Sequence, residues 1–346
     1  MIQSRRPNLA ANEGKRMDVP KLVESFVRSG RIANKSQQTL TWYERRLNQF
    51  VVFLKSDGHS LRVTDITKAD GEAYIEHLMN RSSRWQNHPY HKPHTDRGLS
   101  MFTIHGHVRA IRALTHWAHD EGYLPFDPFE KLPLPKLPQQ LYEIYSEDDI
   151  DRILAHAGKD DIRGMRLRTI LLILLDTGIR ATELATLKIE NIDLQGGTIK
   201  VTGKGNKDRY VPIGEVTIHE IDTYIHVYRP KPAVPNIETL LLNEDGLPFT
   251  YSALSSTMSR LRKAVGLKRL HLHKFRHTTF TKMIENGIPS FVVQQWAGHT
   301  SPEVTNGYVH LAQQRTAQRF RNGSVVDKLA STQDGLRRGR KSNKQG

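Results

Sequence analysis

Five prolines, Pro125, Pro128, Pro133, Pro135 and Pro138, crowd the stretch Tyr123–Gln140. Each removes a backbone donor and fixes its own φ, so neither a helix interior nor a central strand tolerates that density. The chain must therefore fold as two bodies, one on either side. The stretch itself reads as an extended, semi-rigid linker over residues 123–145. With 346 residues in all, each side is long enough to bury its own core.

The side before the linker, residues 18–122, is helical by pattern. Val19, Leu22, Val23 and Phe26 recur at helical spacing, with Gly30 as the expected stop. Ser36 opens a long helix with Leu40, Tyr43, Leu47, Phe50 and Leu54 on one face. Thr67 and Asp70 make a capping box for a third helix. Thr103 is read as opening a fourth, buried along Ile104, Val108, Ile111, Leu114 and Ala118. Residues 1–17 lack periodicity and read as a flexible basic arm.

The side after the linker, residues 146–321, opens at another capping box, Ser146 to Asp149. Arg168–Asp176 is a strongly apolar helix ended by Gly178. Three short strands follow at 192–194, 198–202 and 209–213, turned by Gly196-Gly197 and by Gly203–Asn206. Helices resume at 216–227, 252–265, 273–285, 290–297 and 308–321. Residues 322–346, with the basic run Arg337–Lys341, read as a disordered tail. The expected fold class is mainly α with a small antiparallel β-sheet, divided into an all-α domain and an α+β domain.

Composition narrows the chemistry. The absence of cysteine excludes disulfide scaffolds, thiolate nucleophiles and Cys-ligated zinc. The longest apolar run, Ile170–Leu175, is far short of the ~20 residues of a membrane span, and no signal peptide is visible. A soluble, cytoplasmic protein with no membrane partner is expected. Against 36 Asp+Glu stand 51 Lys+Arg, a net +15. The excess is +7 over residues 1–140 and +5 over 321–346, a spread that suits a polyanion, with double-stranded DNA first among candidates. His88, His91 and His94 invite a metal reading, but Pro89 and Pro93 break any helix that would present them together. Asp148, Asp149 and Asp151 complement a helix N-terminus instead. No metal and no cofactor are expected.

Four separated strings carry the chemistry: Asp176-Thr-Gly-Ile-Arg180-Ala-Thr-Glu183, Thr202-Gly-Lys204-Gly-Asn-Lys207, His273-Lys-Phe-Arg276-His277, and Ala297-Gly-His299 with Tyr308 nine residues on. Singly they are weak. Gly203-Lys204-Gly205 lies on a hairpin, not before a helix, so it is no phosphate-binding P-loop. His273 and Arg276 stand one turn apart, which suits a shared anion or plain surface charge equally. Together, Arg180, Lys204, His273, Arg276, His299 and Tyr308 resemble, in order, the signature residues of the tyrosine recombinase (phage integrase) family, Xer- or integrase-like. The resemblance spans about residues 146–320. One departure is Trp296-Ala297, where the family usually has an apolar residue and Leu before Gly-His. Residues 18–122 resemble, less specifically, the family's core-binding domain. A two-domain DNA clamp is thereby implied, and seventeen leading residues are too few for the additional arm-site domain of some integrases.

The residue types also make chemical sense by themselves. Transfer of a DNA phosphodiester to a side chain needs a nucleophile, charge on the non-bridging oxygens and a proton for the leaving 5′-oxygen. Tyr308 is the expected nucleophile. Arg180 and Arg276, fixed forked cations, replace a divalent metal. His273 is expected to handle the tyrosine proton and His299 to donate a hydrogen bond to the phosphate. Lys204, on the hairpin tip, is the expected general acid, with Lys207 as its possible substitute. Glu183 should orient a catalytic cation. His277 is expected to point away and serve structure alone. Arg45, Arg46, Arg109 and Arg112, on polar helix faces, join Lys207 as expected DNA contacts.

The resemblance thus implies a site-specific recombinase that cuts and rejoins DNA through a 3′-phosphotyrosyl intermediate, metal-independently, as a homotetramer on DNA. Leu311, Ala317 and Phe320 would form the apolar face by which a C-terminal helix docks on a neighbouring copy. A type IB topoisomerase-like activity, with the same chemistry but no strand exchange, is the alternative enzyme. A DNA-binding regulator without catalysis is the alternative of another class, and a metal-dependent nuclease lacks the carboxylate cluster it needs.

Overall fold

A computed structural model describes residues 17–81, 98–138, 142–158, 160–203, 207–299 and 301–323. Residues 1–16, the histidine-rich stretch 82–97, Lys204 and the tail beyond Gly323 lie outside the described residues, and with them the expectations placed on them. The chain divides between Gln139 and Gln140 into two compact units. Among the described residues no helix is long and apolar enough to cross a membrane.

The first unit holds α1 (Val19–Ile32), α2 (Gln37–Ser56), α3 (Lys68–Asn80) and α4 (Met101–Asp120). Phe50, Leu54, Tyr74, Val108, Ile111 and Leu114 are the centre of its core. Ser36 and the Thr67–Asp70 box cap α2 and α3 as expected. Two boundaries differ. α1 runs through Gly30, because that glycine serves close approach: a Cβ there would lie 2.7 Å from Leu40 of α2. α4 begins two residues before Thr103, since Ser100 is the cap, its hydroxyl accepting from the Thr103 amide at 3.3 Å.

The linker expectation needs the larger correction. Leu124, Phe129 and Leu132 are buried with the first core, and a Cβ on Gly71 of α3 would meet the Phe129 ring. The prolines there punctuate turns that carry three apolar anchors back onto the helices, so the first unit extends well past residue 122. The linker's other end, Tyr145, belongs to the second core, its amide donating to the Thr278 hydroxyl at 2.9 Å.

The second unit runs α5 (Glu147–His156), α6 (Ile162–Thr177), α7 (Ala181–Ala185), β1 (Ile192–Asp193), β2 (Thr198–Thr202), β3 (Asp208–Pro212), α8 (Glu215–Thr223), α9 (Tyr251–Ala264), α10 (Leu272–Glu285), α11 (Ser290–Ala297) and α12 (Pro302–Gly323). The strands form an antiparallel sheet in the order β1-β2-β3, with the inward pair Ile199 and Val211 opposite one another. α6 and α10 are the central pair. The Thr279 hydroxyl of α10 bonds the Leu175 carbonyl at 2.8 Å, tying α10 to the last turn of α6. Two helices end on left-handed glycines, α6 at Gly178 (φ 60°) and α11 at Gly298 (φ 62°). Both ends converge on one arginine.

Candidate active site

Arg276 sits in the second turn of α10 and is 2 % exposed. Its Nη1 donates to the Gly178 carbonyl at 2.7 Å and its Nη2 to the Ala297 carbonyl at 2.6 Å. A buried guanidinium is thus held by the C-terminal ends of α6 and α11, where unpaired carbonyls and the helix dipoles favour positive charge. Burial, reinforced by Arg180, still lowers its pKa to about 10, which leaves it charged at neutral pH.

Its Nη2 also lies 2.9 Å from His299 Nε2. Arginine only donates, so this nitrogen accepts, and the Nδ1–H of His299 then donates to the Thr305 hydroxyl at 2.9 Å. Burial and the neighbouring arginines push the pKa of His299 down to about 4, so the ring is neutral. Both ring nitrogens are therefore committed within the protein. The expectation that His299 donates to a phosphate requires a rearrangement: Nε2 must take a proton and release Arg276.

Arg180, the N-cap of α7, is the more open guanidinium, its side chain 38 % exposed. Glu183, one turn on, accepts from the Arg180 amide at 2.7 Å and from Arg180 Nη1 at 3.0 Å. It also takes a bidentate pair from Arg209 of β3 at 2.9 and 2.8 Å. Burial would raise this carboxyl, but the bonds from Arg209 and the Arg180 amide, with both positive charges, outweigh it and hold its pKa below the usual range. Arg209 continues to the Trp296 carbonyl at 2.7 Å. Sheet, α7 and the end of α11 are thereby joined through Glu183 and Arg209, and Glu183 contacts Arg180 directly.

Tyr308 lies inside α12, which begins at Pro302, and is 1 % exposed. Its ring packs among Tyr142, Phe280 and His299, the last in a stacked arrangement at 5.9 Å. Burial raises its pKa to about 12, against the pull of Arg276, so the hydroxyl keeps its proton. The hydroxyl meets His277 Nδ1 at 3.1 Å. This overturns the expectation that His277 points away. Position 277 is four residues from His273, so the two share a helix face, and their rings meet edge-on at 4.4 Å. His273 itself is exposed, its pKa lowered by burial of part of the ring and by Arg276.

The other expected residues divide. Lys207 is exposed at the start of the segment that leads into β3. Arg45 and Arg109 are exposed on α2 and α4. Arg46 and Arg112 depart from the exposed-face reading. Arg46 folds over the Trp42 ring at 4.1 Å and donates to the Trp42 carbonyl, and burial lowers its pKa. Arg112 donates to the Glu130 carbonyl at 3.1 Å, bracing the turn segment that carries Phe129. Four residues escaped the sequence reading: His277, Arg209, Thr305 and Tyr142. Only His277 had a signal, its i+4 relation to His273. Among the described residues no group of three His, Asp or Glu is placed to hold a metal ion.

A buried tyrosine thus lies beside His277, His299 and the guanidinium of Arg276, which two helix ends hold. The phage integrase family model matches residues 143–315, and the phage integrase SAM-like domain model matches residues 21–134. The chain belongs to the phage integrase family of tyrosine recombinases, enzymes that break and rejoin DNA. It is similar to tyrosine recombinase XerD of Staphylococcus aureus (strain N315), 32% identical over 302 residues, covering 86% of this chain and 97% of that protein. Tyrosine recombinase XerC of Staphylococcus carnosus (strain TM300) is 28% identical over 304 residues, 87% of this chain and 96% of that one. Among solved structures, the Tn1549 transposon integrase in complex with a circular intermediate DNA shares the fold at a TM-score of 0.67 and 18% identity, covering 88% of this chain and 99% of that one. The XerH site-specific recombinase bound to palindromic difH substrate shares it at 0.67 and 20% identity, covering 88% and 84%. The chain is a site-specific recombinase by family.

Proposed function

We propose that Tyr308 attacks the scissile DNA phosphate and becomes linked to the 3′ end while the 5′-hydroxyl leaves. The observation that carries this reading is the Tyr308 hydroxyl buried beside Arg276, itself fixed by two helix ends. Arg180, the open guanidinium, meets the non-bridging oxygens, and Arg276 supplies fixed positive charge from below. Glu183 keeps Arg180 in place. Lys204 protonates the leaving oxygen from the hairpin, with Lys207 beside it. His299 contributes a hydrogen bond to the phosphate after exchanging its bond to Arg276, and His273, expected to take the tyrosine proton but with no bond to Tyr308 among those described, contributes another.

The first unit also binds the duplex, with Arg45 and Arg109 on the phosphates, and four copies assemble on two DNA duplexes. The structures of the Tn1549 integrase and XerH were solved with DNA, which supports the same partner here. The phosphotyrosyl bond conserves the energy of the broken phosphodiester, so rejoining needs no nucleotide cofactor.

Strand exchange and simple relaxation separate on a supercoiled plasmid carrying two copies of the target, recovered beforehand by trapping and sequencing covalently bound DNA. Deletion of the segment between the copies is the expected product. Relaxed plasmid with both copies retained, at every protein concentration, would mark a topoisomerase instead.

A further inference from the structure

His277 is the residue of the site with no part in the reading above, yet its Nδ1 lies 3.1 Å from the Tyr308 hydroxyl, which also meets the Arg276 guanidinium. The tyrosine proton has few places to go. Arg276 can only donate, and His299 uses Nε2 to accept from Arg276 and Nδ1 to donate to Thr305. His277 Nδ1, at 3.1 Å, is the acceptor that remains. The imidazole plane is set from the other side by Tyr142, whose ring stacks on it at 4.2 Å and 25°. Tyr142 in turn lies against Gly307, where any Cβ would collide with its ring. Glycine next to the tyrosine thus leaves room for the residue that holds the histidine.

We propose that His277 is a catalytic base for strand cleavage, taking the Tyr308 proton, with Tyr142 as its positioning residue. The proposal rests on Tyr308 being the nucleophile. In the forward step the Tyr308 O–H bond breaks and its proton moves to His277 Nδ1. The tyrosine oxygen bonds to phosphorus, the P–O5′ bond breaks, and Lys204 protonates the departing oxygen. In rejoining, the imidazolium returns the proton as the tyrosine oxygen leaves.

The groups facing His277 are Tyr308 from α12, Tyr142, the exposed His273 on its own helix, the charge of Arg276, and the titratable rings of His271 and His299 nearby. Burial first, and these neighbours next, hold its pKa at about 3, so it is neutral and ready to accept. Burial and that charge together make it a weak base until an anion arrives. A phosphodiester on the arginines offsets their field, and the second negative charge of the five-coordinate phosphate favours the imidazolium further. The base strengthens as the substrate reaches the transition state.

The test is single-turnover covalent adduct formation by the full chain on a nicked duplex built from the recovered target. His277→Phe keeps the stacked ring and loses the acceptor. A loss of about 10²-fold or more is expected, the usual worth of a general base. A polyfluorinated tyrosine at 308, whose hydroxyl is far more acidic than that of tyrosine and so gives up its proton with less help, should bring His277→Phe to within about tenfold of His277 protein carrying the same nucleophile. His277→Asn, which accepts a hydrogen bond but is no useful base, guards against a folding defect in the first variant and should be slow too. A wild-type rate in either variant overturns the proposal, as does failure of the fluorinated tyrosine to speed His277→Phe. Tyr308→Phe run alongside separates the premises: an adduct there refutes Tyr308 as nucleophile whatever His277 does.

Discussion

Replacing Tyr308 with Phe is expected to eliminate the covalent protein–DNA adduct while DNA binding stays within about twofold of wild type. The substitution removes one oxygen and leaves the ring packed on Phe280, His299 and Tyr142. The partners that lose a bond are His277 Nδ1 and the Arg276 guanidinium, at a cost of about 1–2 kcal/mol in all. The protein should therefore melt within a few degrees of wild type. Chemistry falls to nothing because no other hydroxyl occupies that position. Denaturing electrophoresis on nicked DNA checks the first part and a titration at fixed salt the second. An adduct in the variant would remove Tyr308 from the reaction.

Arg276→Ala has the second-largest expected effect, and it differs in kind from Arg180→Ala. Both should slow adduct formation by about 10²-fold or more, in line with loss of a fixed donor to a developing charge. Arg276 also satisfies the carbonyls that end α6 and α11. Orphaning two buried carbonyls costs at least about 2 kcal/mol, so this variant should melt several degrees lower while Arg180→Ala does not. A substrate with sulfur at the scissile 5′-bridging position adds a second axis. A thiol has a pKa of about 8.5, so a thiolate leaves without a proton donor. Lys204→Ala should cleave ordinary DNA poorly and the sulfur substrate well, whereas both arginine variants stay slow on each. Rescue of a Lys207 variant but not of Lys204→Ala would move the general acid along the hairpin. Rescue of Arg276→Ala by sulfur would show that this arginine serves the leaving group.

Local chemistry explains what was legible beforehand. Ser36, the Thr67–Asp70 box and the Ser146–Asp149 box are caps read from adjacent residues, and each stands where expected. The second hairpin was marked by its glycine turn, and Gly178 ends α6 in the left-handed conformation. What escaped was tertiary. Gly30 reads as a stop but is a contact point for Leu40, and proline density at 125–138 hid Phe129 as a core residue. In the site, Arg180, Glu183, Arg276, His299 and Tyr308 converge, but their bonds were not readable. Arg209 reaches Glu183 across 26 positions, and Tyr142 reaches His277 from the far end of the domain. No periodicity encodes such pairs. The bond of His277 to Tyr308 is likewise tertiary, and locally only its i+4 relation to His273 marks its helix face.

The central claim, that this chain breaks DNA by forming a bond between Tyr308 and phosphorus, is tested most directly by identifying the bond. The protein is incubated with nicked target DNA in excess EDTA, the adduct is digested, and the modified peptide is located by mass spectrometry. The account predicts a single modified residue, Tyr308, carrying a 3′-phosphate-linked nucleotide, with undiminished yield in the chelator. Linkage to another residue, linkage through a 5′-phosphate, or cleavage that leaves no adduct and returns only with Mg²⁺ would contradict it.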